Sequence, residues 1–164
     1  MLIYLRHSDD RGDDVYRHDR RLNDRGKRKA AKEARRLIEK YGHPDTVFVS
    51  PFRRAVETMD CMTVHFERPV DIHRDPRVAQ HLGDKQRRDP SVSPQTLEVI
   101  VVNEDIAAFR TRVADHVADA RRRAAAGAAV WVITHQVVIE EAATHFGVEI
   151  PGDLDFLDHV VMLG

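Results

Sequence analysis

Three short apolar runs constrain the fold of this chain more than any other feature of its sequence. They are LIYL at residues 2–5, TVFV at residues 46–49 and AVWVI at residues 129–133. A strand without polar alternation is typical of a sheet that is covered on both faces, because neither side of the strand presents polar groups to water. Segments with helical spacing of apolar residues lie between these runs. The pattern predicts an α/β fold, a three-layer α/β/α sandwich with a mostly parallel central sheet.

Capping residues and chain breakers set the predicted helix boundaries. Asn23 is predicted to cap a helix that ends near Gly42, and Ser50 with Pro51 is predicted to start a helix that ends near residue 65. Later helices are predicted over about 103–125 and 137–146, and short strands over 70–72 and 159–163. Residues 97–102 form a further strand or the approach to the third helix. The polar residues 74–95, with three prolines, are predicted to form a loop or a partial lid.

Length and composition indicate a single domain over residues 1–164. The chain is 42% hydrophobic and 32% charged, with a formal net charge of −1. This balance predicts neither a nucleic acid nor a membrane as partner. The lone cysteine, Cys61, excludes an intramolecular disulfide. Residues 2–5 are too short for a signal peptide and no other run reaches membrane-spanning length, so a cytoplasmic protein is expected.

Polar clusters follow each of the three apolar runs directly. Arg6 and His7 follow the first run, residues 50–54 follow the second, and Thr134 with His135 follows the third. Ligands of open α/β sheets bind outside the carboxyl ends of the strands, where these clusters are predicted to meet. Two arginines and two histidines suit a phosphoryl group, because guanidinium groups match phosphate oxygens and an imidazole can attack phosphorus.

Four segments in the same order resemble the signatures of the histidine phosphatase superfamily, also called the phosphoglycerate mutase-like superfamily. They are LRHSDD, LNDRGKRKA, SPFRRAVET and VITHQVVI, at residues 5–10, 22–30, 50–58 and 132–139. The resemblance implies that His7 is the nucleophile and becomes phosphorylated. It also implies that Arg6, Arg54 and His135 hold the phosphate oxygens, and that neither a metal nor another cofactor is needed.

The chain departs from the superfamily pattern at three places. Ser8 and Gln136 stand where the signatures have glycine, and both are candidate substrate-binding residues. Gln80 stands where the resemblance places an acid that protonates the leaving group. An amide cannot transfer a proton as a carboxylic acid does. Asp84, His81 or an acid among residues 9–14 therefore takes this role, with Asp84 as the candidate donor, or the leaving group needs no donor.

We therefore predict a metal-independent phosphatase that hydrolyses a phosphomonoester or phosphohistidine through a phosphohistidine on His7. The substrate is expected to be a phosphorylated small molecule or a phosphoprotein. The chain resembles the short phosphohistidine phosphatases, whereas RHSDDRGDD at residues 6–14 resembles a branch that acts on aryl phosphates. One alternative is a pseudophosphatase that binds phosphorylated partners. A less favoured alternative is a nucleic-acid-binding domain that uses residues 17–36, which hold ten Lys or Arg.

Overall fold

The computed structural model describes residues 1–9, 21–81, 104–150 and 152–164. The elements in these ranges are, in chain order, β1 (Leu2–Arg6), α1 (Asp24–Tyr41), β2 (Thr46–Val49), α2 (Arg53–Thr63), β3 (Asp71–Arg74), α3 (Ile106–Ala125), β4 (Val130–Thr134), α4 (Gln136–Phe146) and β5 (His159–Leu163). A 3-10 turn, Pro76–Val78, follows β3. None of the helices in the described residues combines the length and apolar character needed to cross a membrane.

The five strands form one sheet in the order β3-β2-β4-β1-β5. The pairs β2 with β3, β2 with β4 and β1 with β4 are parallel, whereas β5 pairs antiparallel with β1 at the sheet edge. The carboxyl ends of β1, β2 and β4 therefore meet at one edge of the sheet. In the register of β1 and β4, Arg6 lies opposite Thr134.

Both faces of the sheet are covered, as the apolar runs predict. Ile3 and Leu5 of β1 pack in a cluster with residues of α1 and α2, whereas Leu2 and Tyr4 pack in a second cluster with residues of α3 and α4. All four side chains are at most 1% exposed. Alternate side chains of a strand point to opposite faces, so a strand between two helical layers favours apolar side chains at successive positions. This confirms the three-layer sandwich with a mostly parallel sheet.

The observed helix boundaries agree with the prediction at Asn23 and differ at Ser50. The Asn23 side chain accepts a hydrogen bond from the Gly26 amide at 2.7 Å and so caps α1. The second helix, however, begins at Arg53, and its cap residue Phe52 makes no side-chain cap bond. The Ser50 hydroxyl instead contacts His135. α3 also begins later than predicted, at Ile106, where Asp105 provides the cap.

The first residues of the polar segment after β3 pack against the rest of the fold. Within the described residues, Asp75 to His81 form a packed turn in which Val78 and Ala79 are almost completely buried. The remainder of this segment, and the predicted strand at 97–102, lie outside the described residues. The strand predicted at 70–72 occupies residues 71–74.

Candidate active site

A cleft of about 350 Å³ lies at the carboxyl edge of the sheet. Because β1 and β4 are neighbours in register, the residues that follow them, His7 and His135, lie side by side with ring centroids 5.1 Å apart. The residues that line the cleft are Arg6, His7, Gln80, His135, Gln136 and Val137. The clusters after the first and third apolar runs thus contribute to one site.

His7 is held by backbone contacts that fix which ring nitrogen carries hydrogen. Its amide donates to the Thr134 carbonyl at 2.9 Å, and its Nδ1 lies 2.9 Å from the Ser8 carbonyl oxygen. A carbonyl oxygen only accepts hydrogen bonds, so Nδ1 carries the hydrogen and Nε2 presents a lone pair. Nε2 accepts a hydrogen bond from Nε of Arg54 at 3.0 Å, which agrees with this tautomer.

Arg54, the second residue of α2, connects three side chains of the site. Besides its bond to His7, its Nη2 lies 3.2 Å from Nδ1 of His135 and donates to Oε1 of Gln80 at 2.6 Å. The Arg54 side chain is buried, and its guanidinium carbon lies 4.9 Å from the centre of the Phe52 ring. The guanidinium group therefore contacts both histidines of the site.

His135 is neutral in this arrangement and is anchored by Ser50. Because a guanidinium group only donates, Nδ1 of His135 accepts from Arg54, and Nε2 carries the hydrogen. Nε2 then donates to the Ser50 hydroxyl at 2.8 Å, and Ser50 is fully buried. The sequence analysis assigned Ser50 to a helix cap and missed this role. A serine directly after a buried strand is the signal that could have revealed it.

Arg6 lines the cleft, but one of its terminal nitrogens is engaged within the protein. Nη1 donates to Oε1 of Gln136 at 3.1 Å and makes a short contact with the Leu154 carbonyl oxygen. Its guanidinium carbon also lies 4.8 Å from the centre of the Phe156 ring. These contacts hold Arg6 against the residues that precede β5.

Gln136 is part of the cleft wall, yet both ends of its amide have protein partners. Its oxygen accepts from Arg6, and its nitrogen donates to Oε1 of Glu140 at 2.7 Å and to Oδ1 of Asp153 at 3.0 Å. The predicted contact of this amide with substrate stays a prediction, since the structure shows the amide bonded to protein groups. These bonds support a role in holding Arg6 in place.

Ser8 is turned away from the cleft. It is fully buried, its hydroxyl donates to the Gly26 carbonyl at 2.7 Å, and its amide donates to Oγ1 of Thr58 at 2.9 Å. The substrate-binding role of Ser8 stays a prediction, and the contacts shown by the structure hold Ser8 against α1 and α2. Thr58 in turn donates to the Arg54 carbonyl at 2.7 Å, so this chain of bonds connects α1, the residues after β1 and α2.

Phe156 is a residue of the site that the sequence analysis did not identify. Its ring centroid lies 5.7 Å from that of His7. Leu154 and Leu157 on either side are buried, although aspartates surround them in the sequence. The alternation of apolar and acidic residues in this short segment is the signal that could have indicated a packed turn.

The candidate proton donors occupy different environments. Asp84 lies outside the described residues. The carboxylate of Asp9 faces α1, where Oδ1 is 3.4 Å from Nδ2 of Asn23 and Oδ2 is 4.0 Å from Nζ of Lys29. Nδ1 of His81 lies 3.6 Å from a Glu104 carboxylate oxygen. Of the described residues, only Gln80 combines the predicted donor position with a place in the cleft wall.

A network of charged side chains fixes the turn that carries Gln80. Arg112 Nη1 donates to the carbonyl oxygens of Pro76, Arg77 and Ala79 at 2.8–3.0 Å, and its other nitrogens donate to both carboxylate oxygens of Glu104 at 2.6 and 2.7 Å. Thr134 donates to the Val78 carbonyl at 2.6 Å. The turn is therefore held from α3 and from the end of β4.

Asp75, the first residue of this turn, belongs to a buried ionic cluster. Its carboxylate accepts from Arg77 at 2.8 Å and lies 3.0 Å from Nδ1 of His116. Burial acts to raise the pKa of Asp75, but the hydrogen bonds from His116 and Arg77 hold it well below its usual range. Burial lowers the pKa of His116 despite the adjacent carboxylate. The cluster therefore pairs an ionised Asp75 with a neutral His116.

The family model described as the histidine phosphatase superfamily, branch 1, matches residues 2–154. The chain belongs to this superfamily. The assignment confirms the resemblance of the four sequence segments and the prediction of a phosphatase of this superfamily. A search of curated protein sequences gives no match.

Solved structures of superfamily proteins share the fold. The protein histidine phosphatase SixA, solved with tungstate, has 19% identity and a TM-score of 0.66, over 95% of this chain and 83% of its own. The ecdysone phosphate phosphatase of Bombyx mori, also solved with tungstate, has 14% identity and a TM-score of 0.70, over 96% and 86%. The phosphoglycerate mutase of Bacillus anthracis has 20% identity and a TM-score of 0.63, over 88% and 78%.

Proposed function

We propose that this chain is a metal-independent phosphatase in which Nε2 of His7 attacks the phosphorus of a phosphomonoester or a phosphohistidine. The observation that carries the proposal is the tautomer of His7. Its Nδ1 is bonded to the Ser8 carbonyl, so the lone pair is on Nε2, beside Arg54 at the cleft. A fixed, neutral imidazole is the form that acts as a nucleophile.

Arg54 contacts the side of His7 from which the phosphoryl group must approach. Its Nε hydrogen is bonded to the lone pair of His7 that attacks phosphorus. When a phosphoryl group enters, this hydrogen bond passes from Nε2 to a phosphate oxygen, where it offsets negative charge in the transition state. Arg6 and the amino end of α4 lie around the same cleft and add donors for the remaining oxygens, and His135 lines the cleft beside them.

The reaction then has two balanced steps. In the first, the Nε2 lone pair forms a bond to phosphorus, and the bond to the leaving group breaks with its electron pair on the leaving atom. In the second, water attacks phosphorus, the bond to Nε2 breaks, and inorganic phosphate and a proton are released. His7 regains its lone pair, and no metal enters either step. The residues that the structure describes contain no group of three or more metal-ligating side chains.

The proposed substrates carry leaving groups that depart without strong protonation, such as an imidazole or an aryl oxide. Gln80 supports this choice, because it stands in the cleft wall where an acid was expected. Two proteins of similar structure, a protein histidine phosphatase and an ecdysone phosphate phosphatase, support hydrolysis of a phosphorylated protein or small molecule. We propose that the protein acts on such substrates in the cytoplasm.

Replacement of the proposed nucleophile tests the proposal. His7→Ala is expected to abolish phosphate release from p-nitrophenyl phosphate, because it removes the imidazole that accepts the phosphoryl group. His145→Ala is the matched control, since His145 is an exposed residue near the far end of α4. Full activity in His7→Ala would contradict the proposal. A parent protein that binds phosphorylated ligands without releasing phosphate would instead support the pseudophosphatase alternative.

Chelation tests the metal-independent part of the proposal. Treatment of the purified protein with EDTA is expected to leave the rate of phosphate release unchanged, because the guanidinium groups of Arg6 and Arg54 supply the charge stabilisation. A loss of rate that zinc or magnesium restores would require a metal-assisted mechanism instead.

A further inference from the structure

We infer that Gln80 is a specificity-determining residue that presents an amide N–H to the leaving group without transferring a proton. This inference rests on the proposed function and concerns the part of the cleft that selects substrates. In addition to the lack of an acid at this position, Gln80 has a role of its own, which is to donate a hydrogen bond to the leaving atom.

The orientation of the Gln80 amide follows from its contact with Arg54. Nη2 of Arg54 lies 2.6 Å from the Gln80 side chain, and a guanidinium group can only donate. The atom that faces Arg54 is therefore the amide oxygen, Oε1. The amide nitrogen, on the other side of the same carbon, makes no hydrogen bond with any described residue, and Gln80 lines the cleft. Its two N–H donors are thus available to a bound ligand.

The second glutamine of the cleft wall provides a contrast. The oxygen of Gln136 accepts from Arg6, and its nitrogen donates to Glu140 and Asp153. Its donors are therefore occupied by two carboxylates. The two glutamines differ in whether the amide nitrogen has a protein partner among the described residues, so of these two Gln80 is the one available as a neutral donor toward substrate.

Gln80 is also held close to the reacting atoms. The guanidinium group that binds its oxygen also donates to Nε2 of His7. The turn before it is buried at Val78 and Ala79 and is held by Arg112 through three carbonyl oxygens. A donor fixed in this way has little conformational freedom to lose when it meets a developing charge.

The chemistry of an amide donor limits the leaving groups that it can assist. As the bond from phosphorus to the leaving atom breaks, electron density grows on that atom, and an N–H hydrogen bond stabilises it. The amide keeps its proton, so an alkoxide would leave as a strong base. The leaving atom takes its proton later, from solvent. The site therefore favours phosphorylated aromatic oxygens or nitrogens over alkyl phosphates.

Leaving-group dependence of phosphoenzyme formation tests this inference. Single-turnover rates are measured for p-nitrophenyl, phenyl and glycerol phosphates with the parent and with Gln80→Leu, which removes the donor at similar volume. The decrease in the single-turnover rate that Gln80→Leu causes is expected to grow as the leaving group becomes more basic. It should be about threefold for nitrophenyl phosphate and about 10- to 100-fold for phenyl phosphate. Glycerol phosphate is expected to react slowest with both proteins.

Gln136→Leu is the matched control at the same cleft wall. Because Gln136 acts on Arg6, this change is expected to lower all three rates by a similar factor and to leave the leaving-group dependence unchanged. Gln80→Glu introduces a group that can transfer a proton, so it is expected to raise the rate for glycerol phosphate relative to nitrophenyl phosphate at acidic pH.

Two outcomes would overturn the inference. One is a Gln80→Leu variant whose single-turnover rate falls by the same factor for all leaving groups. The other is a parent that cleaves glycerol and nitrophenyl phosphates at similar chemical-step rates. The failure of the proposed function has a different signature, which is a parent that forms no phosphoenzyme with any substrate or a fully active His7→Ala variant.

Discussion

Arg54 shows how a single residue organises the proposed site. Its guanidinium group contacts the lone pair of His7, a ring nitrogen of His135 and the amide oxygen of Gln80. The sequence predicted that Arg54 belongs to the site, because the segment at residues 50–58 agrees with the superfamily signature. The contact with Gln80 was not predictable from the sequence, since it joins two residues through the packing of separate elements.

Removal of the Arg54 guanidinium group is expected to impair catalysis strongly. Arg54→Ala should lower kcat by about 100-fold or more, because one preorganised donor to the transition state is lost. Arg53→Ala is the matched control, since Arg53 is exposed and its ion pair with Glu57 lies outside the cleft. Steady-state kinetics with p-nitrophenyl phosphate measure both. A decrease below tenfold in Arg54→Ala would mean that Arg54 does not contact the transferred phosphoryl group.

At the scale of elements, the amino end of α1 supports the segment that carries His7. A side chain at Gly26 would place its Cβ 2.2 Å from the Asp9 carbonyl oxygen, which is far inside contact distance. The Ser8 hydroxyl donates to the Gly26 carbonyl in the same region. Gly26 is therefore required for close approach of the helix to residues 8 and 9.

Gly26→Ala is expected to destabilise the protein and to displace residues 8 and 9. The overpacked contact should lower the free energy of unfolding by about 1–3 kcal/mol, and the shift of Ser8 should also lower kcat because its carbonyl orients His7. Lys27→Ala, at the next and exposed position, should change the free energy of unfolding by less than about 0.5 kcal/mol. Urea unfolding and steady-state kinetics measure these effects. Equal stability and kcat in the two variants would contradict the role of this contact.

The buried cluster at the end of β3 gives the fold a pH dependence. Because burial lowers the pKa of His116, the unfolded chain binds more protons than the folded chain below about pH 6.5. Because the pKa of Asp75 is also lowered, the unfolded chain binds more protons than the folded chain at this residue below about pH 4. The free energy of unfolding should therefore be highest above about pH 6.5 and decrease as the pH falls.

His116→Gln should flatten this pH dependence between about pH 7 and 5, because glutamine can donate to Asp75 but does not titrate. Its stability at pH 7.5 should be lower than that of the parent, since the side chain fits the buried site less well. His145→Ala, at an exposed position, should keep the pH profile of the parent. Urea unfolding across this pH range provides the measurement. A parallel profile in His116→Gln would show that His116 does not cause the effect.

The success of sequence prediction also differed between elements. β1, β2 and β4 were predictable because strands between two helical layers need uninterrupted apolar residues. β3 is an edge strand whose pattern is mostly exposed, so its bounds were less well marked. The turn at residues 75–81 was predicted as a loop, because the side chains that hold it, Arg112 and Thr134, are distant in sequence.

At the scale of the whole molecule, strand order creates the site. β1 lies between β4 and β5, so residues more than 120 positions apart, His7 and His135, become neighbours. The alternation of strands and helices predicted the layers and the edge at which ligands bind. It did not predict the order of the strands or the antiparallel β5, because these depend on which elements pack together after the chain has collapsed.

The proposed reaction depends above all on one covalent intermediate, phosphohistidine at Nε2 of His7. A phosphorus–nitrogen bond to histidine survives alkaline denaturation, so the parent is mixed with substrate and quenched in alkaline denaturant during turnover. Phosphorus NMR of the quenched protein, with peptide mapping, then identifies the residue and the ring nitrogen. We expect phosphorylation of His7 at Nε2, because Nδ1 is bonded to the Ser8 carbonyl. Turnover without phosphorylated His7, or phosphate on Nδ1, would contradict it.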